Sequence, residues 1–360
     1  MHIGEREIGP RQPPYIIAEI GVNHDGCAER AVELTEAAAK AGADAIKLQL
    51  FETDRLMSKA SRLAAYQKDA GESDPFAMLR RLELSIDDMA HAGRRAHEVG
   101  VHTIVTVFSV ELVATAQRLP WDAYKSASPD IINRPLLKAM AGTGLPLIVS
   151  TGASTLDEVT RAADWLDDCR DRTAMLQCVS SYPAPDAALG GIRTIVEATR
   201  LRTGYSDHTA SIETGAHAVA AGALLLERHI THNRNAAGPD HAASLEPKEF
   251  ARYVRLARAA SLGASFVEPG KRVLECERDV RSVSRQSLVA TRDLPAGCIV
   301  QQRDLTIKRP GTGLAPWRLD SLIGRRIALP VDADTPLLES SLLPTAAVRL
   351  KAPPVKRRAS

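Results

Sequence analysis

Short apolar runs alternate with amphipathic segments along most of the chain, regularly enough to predict its elements. Eight runs rich in aliphatic residues read as strands: Tyr15–Ile20, Ala43–Phe51, Val101–Phe108, Ala123–Ala127, Leu145–Ser150, Ala174–Val179, Leu201–Tyr205 and Ala223–Ile230. Alanine-rich stretches with apolar positions at helical spacing lie between them, among them 28–41, 86–99, 155–169 and 212–221. Near-continuous apolar strands suit a buried parallel sheet, because crossover helices cover both of its faces. Eight such strand–helix units predict an α/β fold of the closed (β/α)8 TIM-barrel type. The competing arrangement, a doubly wound open sheet, wants a glycine-rich phosphate loop after its first strand. Gly21-Val22-Asn23-His24-Asp25-Gly26 is not that fingerprint.

After Glu249 the pattern changes. A helix over 247–262 precedes a charged stretch from Glu268 to Arg281, and short alternating strands follow at Gln286–Ala290, Cys298–Val300, Leu305–Lys308 and Arg326–Leu329. The boundaries expected are a barrel over 1–265, a linker over 266–282, a small β-rich domain over 283–350 and a basic, disordered tail over 351–360. The small domain echoes itself. Asp293-Leu294-Pro295-Ala296-Gly297, then Ile299-Val300 and Asp304-Leu305, is matched by Val331-Asp332-Ala333-Asp334-Thr335, then Leu337-Leu338 and Ser341-Leu342. Two turn-plus-strand units predict a pseudo-symmetric fold.

Composition narrows the function classes. The 46 basic and 44 acidic residues leave a net charge of +2, well mixed, so neither a nucleic-acid nor a membrane partner follows from it. Aromatic residues are 4% of the chain, and aliphatic packing must carry the core. Five cysteines without paired spacing read as reduced thiols, which points to a cytoplasmic setting. No run approaches the roughly 20 apolar residues of a membrane span, and the start lacks a signal-peptide core.

In a parallel barrel the carboxyl ends of the strands and their following loops share one face. The polar residues at those ends are therefore read together: Glu19, Asn23 and His24; Lys47 and Gln49; Thr106 and Ser109; Lys125 and Ser128; Ser150 and Thr151; Ser180, Ser181 and Tyr182; Ser206, Asp207 and His208; Glu227 and His229. Lys47 interrupts an apolar strand, so it needs a partner. An anion in the mouth, a salt bridge to Glu19 or another carboxylate, or service as a Schiff-base amine would each account for it. With Lys125 and the hydroxyls of Thr106, Ser128, Ser150 and Ser180 it makes a cradle for phosphate and carboxylate oxygens, although any one hydroxyl also reads as a helix cap. His208 and His229, on neighbouring strand ends, suit a borderline divalent metal such as Mn, Fe, Co or Zn with open positions for water and substrate, and Asp207, Glu227 and Asp240 are candidates to orient the imidazoles. Glu19, in an apolar run, is the candidate acid or base. His24, His232 and His241 are further candidates to reach the mouth.

These motifs resemble a family. Ile17-Ala18-Glu19-Ile20-Gly21-Val22-Asn23-His24, Lys47-Leu48-Gln49, Leu82-Glu83-Leu84-Ser85, Ser150-Thr151-Gly152, Ser180-Ser181-Tyr182-Pro183, Ser206-Asp207-His208-Thr209, Glu227-Arg228-His229 and Gly238-Pro239-Asp240-His241 look like the sialic acid (N-acetylneuraminate) synthases. Arg285 to Ala290, Lys308 to Gly313 and Leu322-Ile323-Gly324 resemble the antifreeze-like SAF domain that follows the barrel in these enzymes. The resemblance implies a metal-dependent condensation of phosphoenolpyruvate with an N-acylated amino sugar, such as N-acetylmannosamine, to a nonulosonic acid and phosphate. It implies that Lys47, Thr106, Lys125, Ser128, Ser150, Ser180, Tyr182, Ser206, Glu227 and Asp240 contact substrates and that His208 and His229 hold the metal. It also implies a domain-swapped homodimer in which Arg309 reaches the acyl group from the second subunit, with Arg285 a competing candidate.

The chain departs from the family's pattern at Thr106-Val107-Phe108, Lys125-Ser126-Ala127-Ser128, Ser180-Ser181-Tyr182 and Asn233-Arg234. None of these changes removes a metal-ligand candidate or a cradle lysine, and a different sugar, as in legionaminic or pseudaminic acid synthases, is an open alternative. So is a catalytically silent sugar-binding homologue.

Overall fold

The eight strands close into a barrel because each finds a parallel neighbour on both edges and turns mainly apolar side chains outward, the pair of Asp207 and Arg228 apart. The computed structural model describes residues 1–64, 67–68, 70–264, 273, 275 and 278–344. The strands are β1 (Tyr15–Glu19), β2 (Ala45–Leu50), β3 (His102–Val107), β4 (Ala123–Ser126), β5 (Leu147–Ser150), β6 (Thr173–Cys178), β7 (Arg202–Asp207) and β8 (Leu225–His229). They pair in parallel in sequence order, and β8 returns to β1. The helices that cover them are α1 (Ala28–Lys40), α2 (Ile86–Glu98), α3 (Val110–Ala116), α4 (Arg134–Gly142), α5 (Leu156–Trp165), α6 (Gly190–Thr199), α7 (Thr214–Ala220) and α8 (Pro247–Ala264).

Helix starts follow local chemistry. Ser85 accepts a hydrogen bond from the Asp88 amide at 3.1 Å to cap α2, and Thr155 with Glu158 forms a capping box on α5. Helix α1 buries Ala31, Leu34, Thr35 and Ala38, one stripe at helical spacing, against the barrel wall.

Side chains alternate across each strand, and the alternation sorts them by chemistry. Ile16 and Ala18, Ile46 and Leu48, Val105 and Val107, Leu226 and their counterparts point outward into the core shared with the helices. Ile17, Ala45, Ile104, Ala123, Ile148, Ala174, Leu176 and Leu225 point inward and pack together inside. The inward positions beyond them, towards the carboxyl ends, are polar. The first fourteen residues, for which no element was expected, include a hairpin of His2–Ile3 with Arg6–Glu7, and Met1, Ile3 and Ile8 pack against the inner apolar layer.

The chain divides between positions 268 and 269 into two compact units. The second has its own core, including Leu288, Leu294, Val300, Leu322, Ile327 and Leu337. Strands β9 (Ser287–Ala290) and β10 (Leu305–Lys308) pair antiparallel. The two echoed segments meet: Leu294 and Val331 exchange backbone hydrogen bonds of 2.8 and 3.0 Å. Each is followed by a single helical turn closed the same way, by Gln301 N–H to Asp304 at 3.0 Å and by Leu338 N–H to Ser341 at 3.2 Å. Positions 351–360, expected to be a basic tail, and much of the expected linker lie outside the described residues.

Candidate active site

The inward polar ends of the strands converge on a cavity of about 390 Å³. Its walls include Glu19, Lys47, Gln49, Thr106, Lys125, Ser128, Ser150, Ser180, Tyr182, Ser206, His208, Glu227, His229 and Asp240. Every candidate from the barrel sequence named as a catalytic, substrate or metal residue is therefore in one place. Arg309 is exposed on the second unit. A larger cavity of about 970 Å³ lies at the opposite end, around Pro14, Leu201, Leu224 and Ala260. Its walls carry no carboxylate or imidazole, so volume alone would point away from the chemistry.

Both cradle lysines are buried beside carboxylates. Lys47 forms an ion pair with Glu19, its register partner, and donates to the Thr106 hydroxyl at 3.0 Å. Of the partners left open for Lys47 by the sequence, the structure provides Glu19. Burial pushes the Lys47 ammonium down to about 7, with Glu227 and Asp240 opposing and Lys125 assisting. Lys125 stands 3.3 Å from Glu227, which also accepts from the Ser206 hydroxyl at 2.9 Å. Burial by itself would raise Glu227, but Lys125, Lys47 and that hydroxyl prevail and hold it below the usual carboxylate range. Glu19 is held on its other oxygen by the Gly21 amide at 2.9 Å.

The hydroxyl side of the cavity depends on one glycine. A Cβ on Gly152, in the loop after β5, would lie 2.2 Å from the Ser180 hydroxyl and 2.7 Å from that of Ser128. The Gly152 amide instead donates to Ser128 at 3.1 Å. Ser150, almost fully buried, has a hydroxyl without a hydrogen-bond partner. An unpartnered buried hydroxyl in the wall of a cavity that also holds two lysines is a group poised for a bound anion.

His208 and His229 lie with ring centroids 5.5 Å apart, and the Tyr182 ring packs against both, at 4.1 and 5.8 Å. Nδ1 of His208 donates to the Val179 carbonyl at 2.8 Å, which leaves the lone pair on Nε2. Burial lowers His208 to about 4 and His229 well below its ordinary value, so both are neutral, the form that ligates metals. Nδ1 of His229 is buried without a hydrogen bond, 3.7 Å from Asp240. Two neutral imidazoles side by side are a donor pair that could hold one divalent ion. Among the described residues no group of three or more His, Cys, Asp or Glu side chains is placed to hold a metal ion. Burial raises Asp240 to about 7 against the pull of Lys47.

Asp207 is a correction. It was a candidate to orient the imidazoles through a carboxylate contact, but the strand alternation that turns Ser206 and His208 inward turns Asp207 outward, onto Arg228 at 2.9 Å. His24, His232 and His241 also miss the cavity wall. His241 bonds Asp25 at 2.9 Å and Thr231 at 2.7 Å, and its ring meets that of His232 at 5.5 Å. Cys178 is a wall residue that sequence reasoning missed, 3.7 Å from His208 Nδ1. Its inward parity on β6, opposite Ser206 in register, was the available signal.

A family model for the NeuB family matches residues 34–266, and one for the SAF domain matches 285–343. The chain belongs to the NeuB family. NeuB-family relatives include the N,N'-diacetyllegionaminic acid synthase of Legionella pneumophila, 36% identical over 93% of this chain and 96% of that one. The N-acetylneuraminate-9-phosphate synthase of Homo sapiens is 31% identical over 93% and 94%. A solved N-acetylneuraminic acid synthetase from Leptospira borgpetersenii, in complex with citrate, superposes with a TM-score of 0.70 at 29% identity, covering 78% of this chain and 94% of that one. These NeuB relatives are synthases, and the chain is an enzyme of that kind.

Proposed function

We propose that the cavity condenses phosphoenolpyruvate with the open-chain form of an N-acylated amino sugar, giving a nine-carbon 3-deoxy-2-keto acid and inorganic phosphate. The observation that carries this reading is the pairing, in one buried cavity, of two neutral imidazoles with two lysines and unpartnered hydroxyl capacity. Lys47, Lys125 and the hydroxyls of Thr106, Ser128, Ser150 and Ser180 hold the phosphate and carboxylate of phosphoenolpyruvate. His208 and His229 hold a divalent ion, and of Mn, Co and Mg the first two suit imidazole donors better than the harder Mg; when bound it supplies Lewis-acid polarisation of the sugar aldehyde. Tyr182 packs over both imidazoles and limits their motion. Ser206, Glu227 and Asp240 bind and orient the sugar.

The carbon 3 of the enol bonds to the aldehyde carbon, whose oxygen takes a proton, and water adds at carbon 2. Breaking the carbon 2–oxygen bond then expels phosphate. Glu19, with Lys47 as its partner, holds a sugar hydroxyl or moves the proton. Arg309 is proposed as the contact for the acyl group within a homodimer.

The test is phosphate release by metal-replete protein across N-acetylmannosamine, its 6-phosphate and diacetamido sugars, with product mass measured. Turnover with one of them, abolished by His229→Ala with folding intact, is the expected outcome. No release with any of them would sink the reading, and labelling of Lys47 or Lys125 by borohydride with a keto acid would replace it with amine chemistry.

A further inference from the structure

The outward side of β7 and β8 carries a charge pair that the cavity does not use. Asp207 and Arg228 are both fully buried, 2.9 Å apart, and are register partners across the parallel pair. Each directly precedes one of the two imidazoles. The Tyr253 ring of α8 lies 5.8 Å from the guanidinium, sealing the pair from water. It reaches that place because Gly215 on α7 has no side chain, where a Cβ would lie 2.4 Å from the ring. Nε and Nη2 of Arg228 and the Tyr205 hydroxyl are buried without hydrogen bonds.

Stability is a poor explanation for this pair. Desolvating two charges costs several kcal/mol per ion, and apolar replacement of such pairs is often neutral or stabilising. The unpartnered guanidinium nitrogens add to that cost. What the pair does accomplish is geometric. Arg228 donates to the Asp207 carbonyl at 3.3 Å, while the Asp207 carboxylate accepts from the Thr209 amide at 2.9 Å and hydroxyl at 2.8 Å. The backbone is thus clamped on both sides of His208. His229 has no hydrogen bond on Nδ1 to aim its ring, so apart from the packing of Tyr182 its direction depends on the backbone that Arg228 anchors. A pair on the outer face also locks the register of the inner face, because a slip of one residue would turn every side chain over.

We propose that Asp207 and Arg228 are positioning residues that set the two imidazoles from behind the barrel wall, so that their loss weakens metal binding more than it weakens the fold. This rests on His208 and His229 being the metal ligands.

The experiment uses the full chain with Asp207→Leu and Arg228→Met together, which leaves no unpaired buried charge. Mn(II) affinity, the visible spectrum with Co(II), and the metal-free melting temperature are measured beside the parent and His229→Ala. The expected result is an Mn(II) Kd raised at least about tenfold, the lower end of what losing a ligand's own hydrogen-bond partner costs, with an altered Co(II) spectrum and a melting temperature close to the parent's. A Kd within twofold of the parent's with an unchanged spectrum would overturn the proposal, as would a double variant that does not fold, since the pair would then be a folding element. A parent that binds no metal, or binds it unchanged in His229→Ala, would show instead that the ligand reading itself has failed.

Discussion

His24 shows how a buried residue outside the cavity still sets a measurable property. Burial lowers its imidazole to about 4, with Asp25 opposing and Arg30 assisting, and its Nδ1 accepts a hydrogen bond from the Gly26 amide at 3.1 Å. In the unfolded chain it would take a proton near 6.5, so the unfolded state binds more protons between those values and stability rises with pH there. The contribution is fully present above about pH 6.5 and is lost as pH falls towards 4, to a total of roughly 3 kcal/mol. Replacing His24 by Gln should therefore flatten the acid limb of stability against pH in urea titrations of metal-free protein; an unchanged limb would refute this. At the same scale, Glu19 and Lys47 were legible because each breaks an apolar run, and a charge there must be answered. Which answer Lys47 finds, Glu19 rather than a ligand alone, depended on register between β1 and β2. The outward turn of Asp207 was equally a matter of register, since neighbours in sequence face opposite sides of a strand.

Among the elements, the loop after β5 illustrates close approach. Gly152 lets the Ser128 and Ser180 hydroxyls crowd over its backbone, and both belong to the proposed anion cradle. Gly152→Ala should push them apart, raising KM for phosphoenolpyruvate by about tenfold, equivalent to about 1.4 kcal/mol for one disturbed hydrogen-bonded contact. Steady-state kinetics with far-ultraviolet spectra as a folding control would check it, and an unaltered KM would remove this loop from the cradle. Strand positions were legible from apolar runs, and helices 28–41 and 86–99 from their periodicity, because both patterns are local. The hairpin at 2–7 was not, since its short strands carry no periodicity and its burial comes from the barrel interior it packs against.

On the scale of the whole molecule, the two units keep separate cores. Leu322 is fully buried in the second, among Leu294, Val300 and Ile327. Leu322→Ala should cost that unit about 2–5 kcal/mol. Hydrogen exchange should accelerate at Val289 and remain slow at Val105 in the barrel; acceleration at both would mean one cooperative fold. By itself the sequence determined the eight-fold alternation, hence the barrel and the face that gathers its polar ends, because hydrophobic period and chain direction are properties of neighbours along the chain. It determined the residue types available for the chemistry for the same reason. Only the tertiary structure decided which groups meet: Lys47 with Glu19, Lys125 with Glu227, the two imidazoles under Tyr182, and Asp207 with Arg228 behind them. Those pairings are set by strand register and burial, which bring together residues far apart in sequence and remove the water that would otherwise screen them.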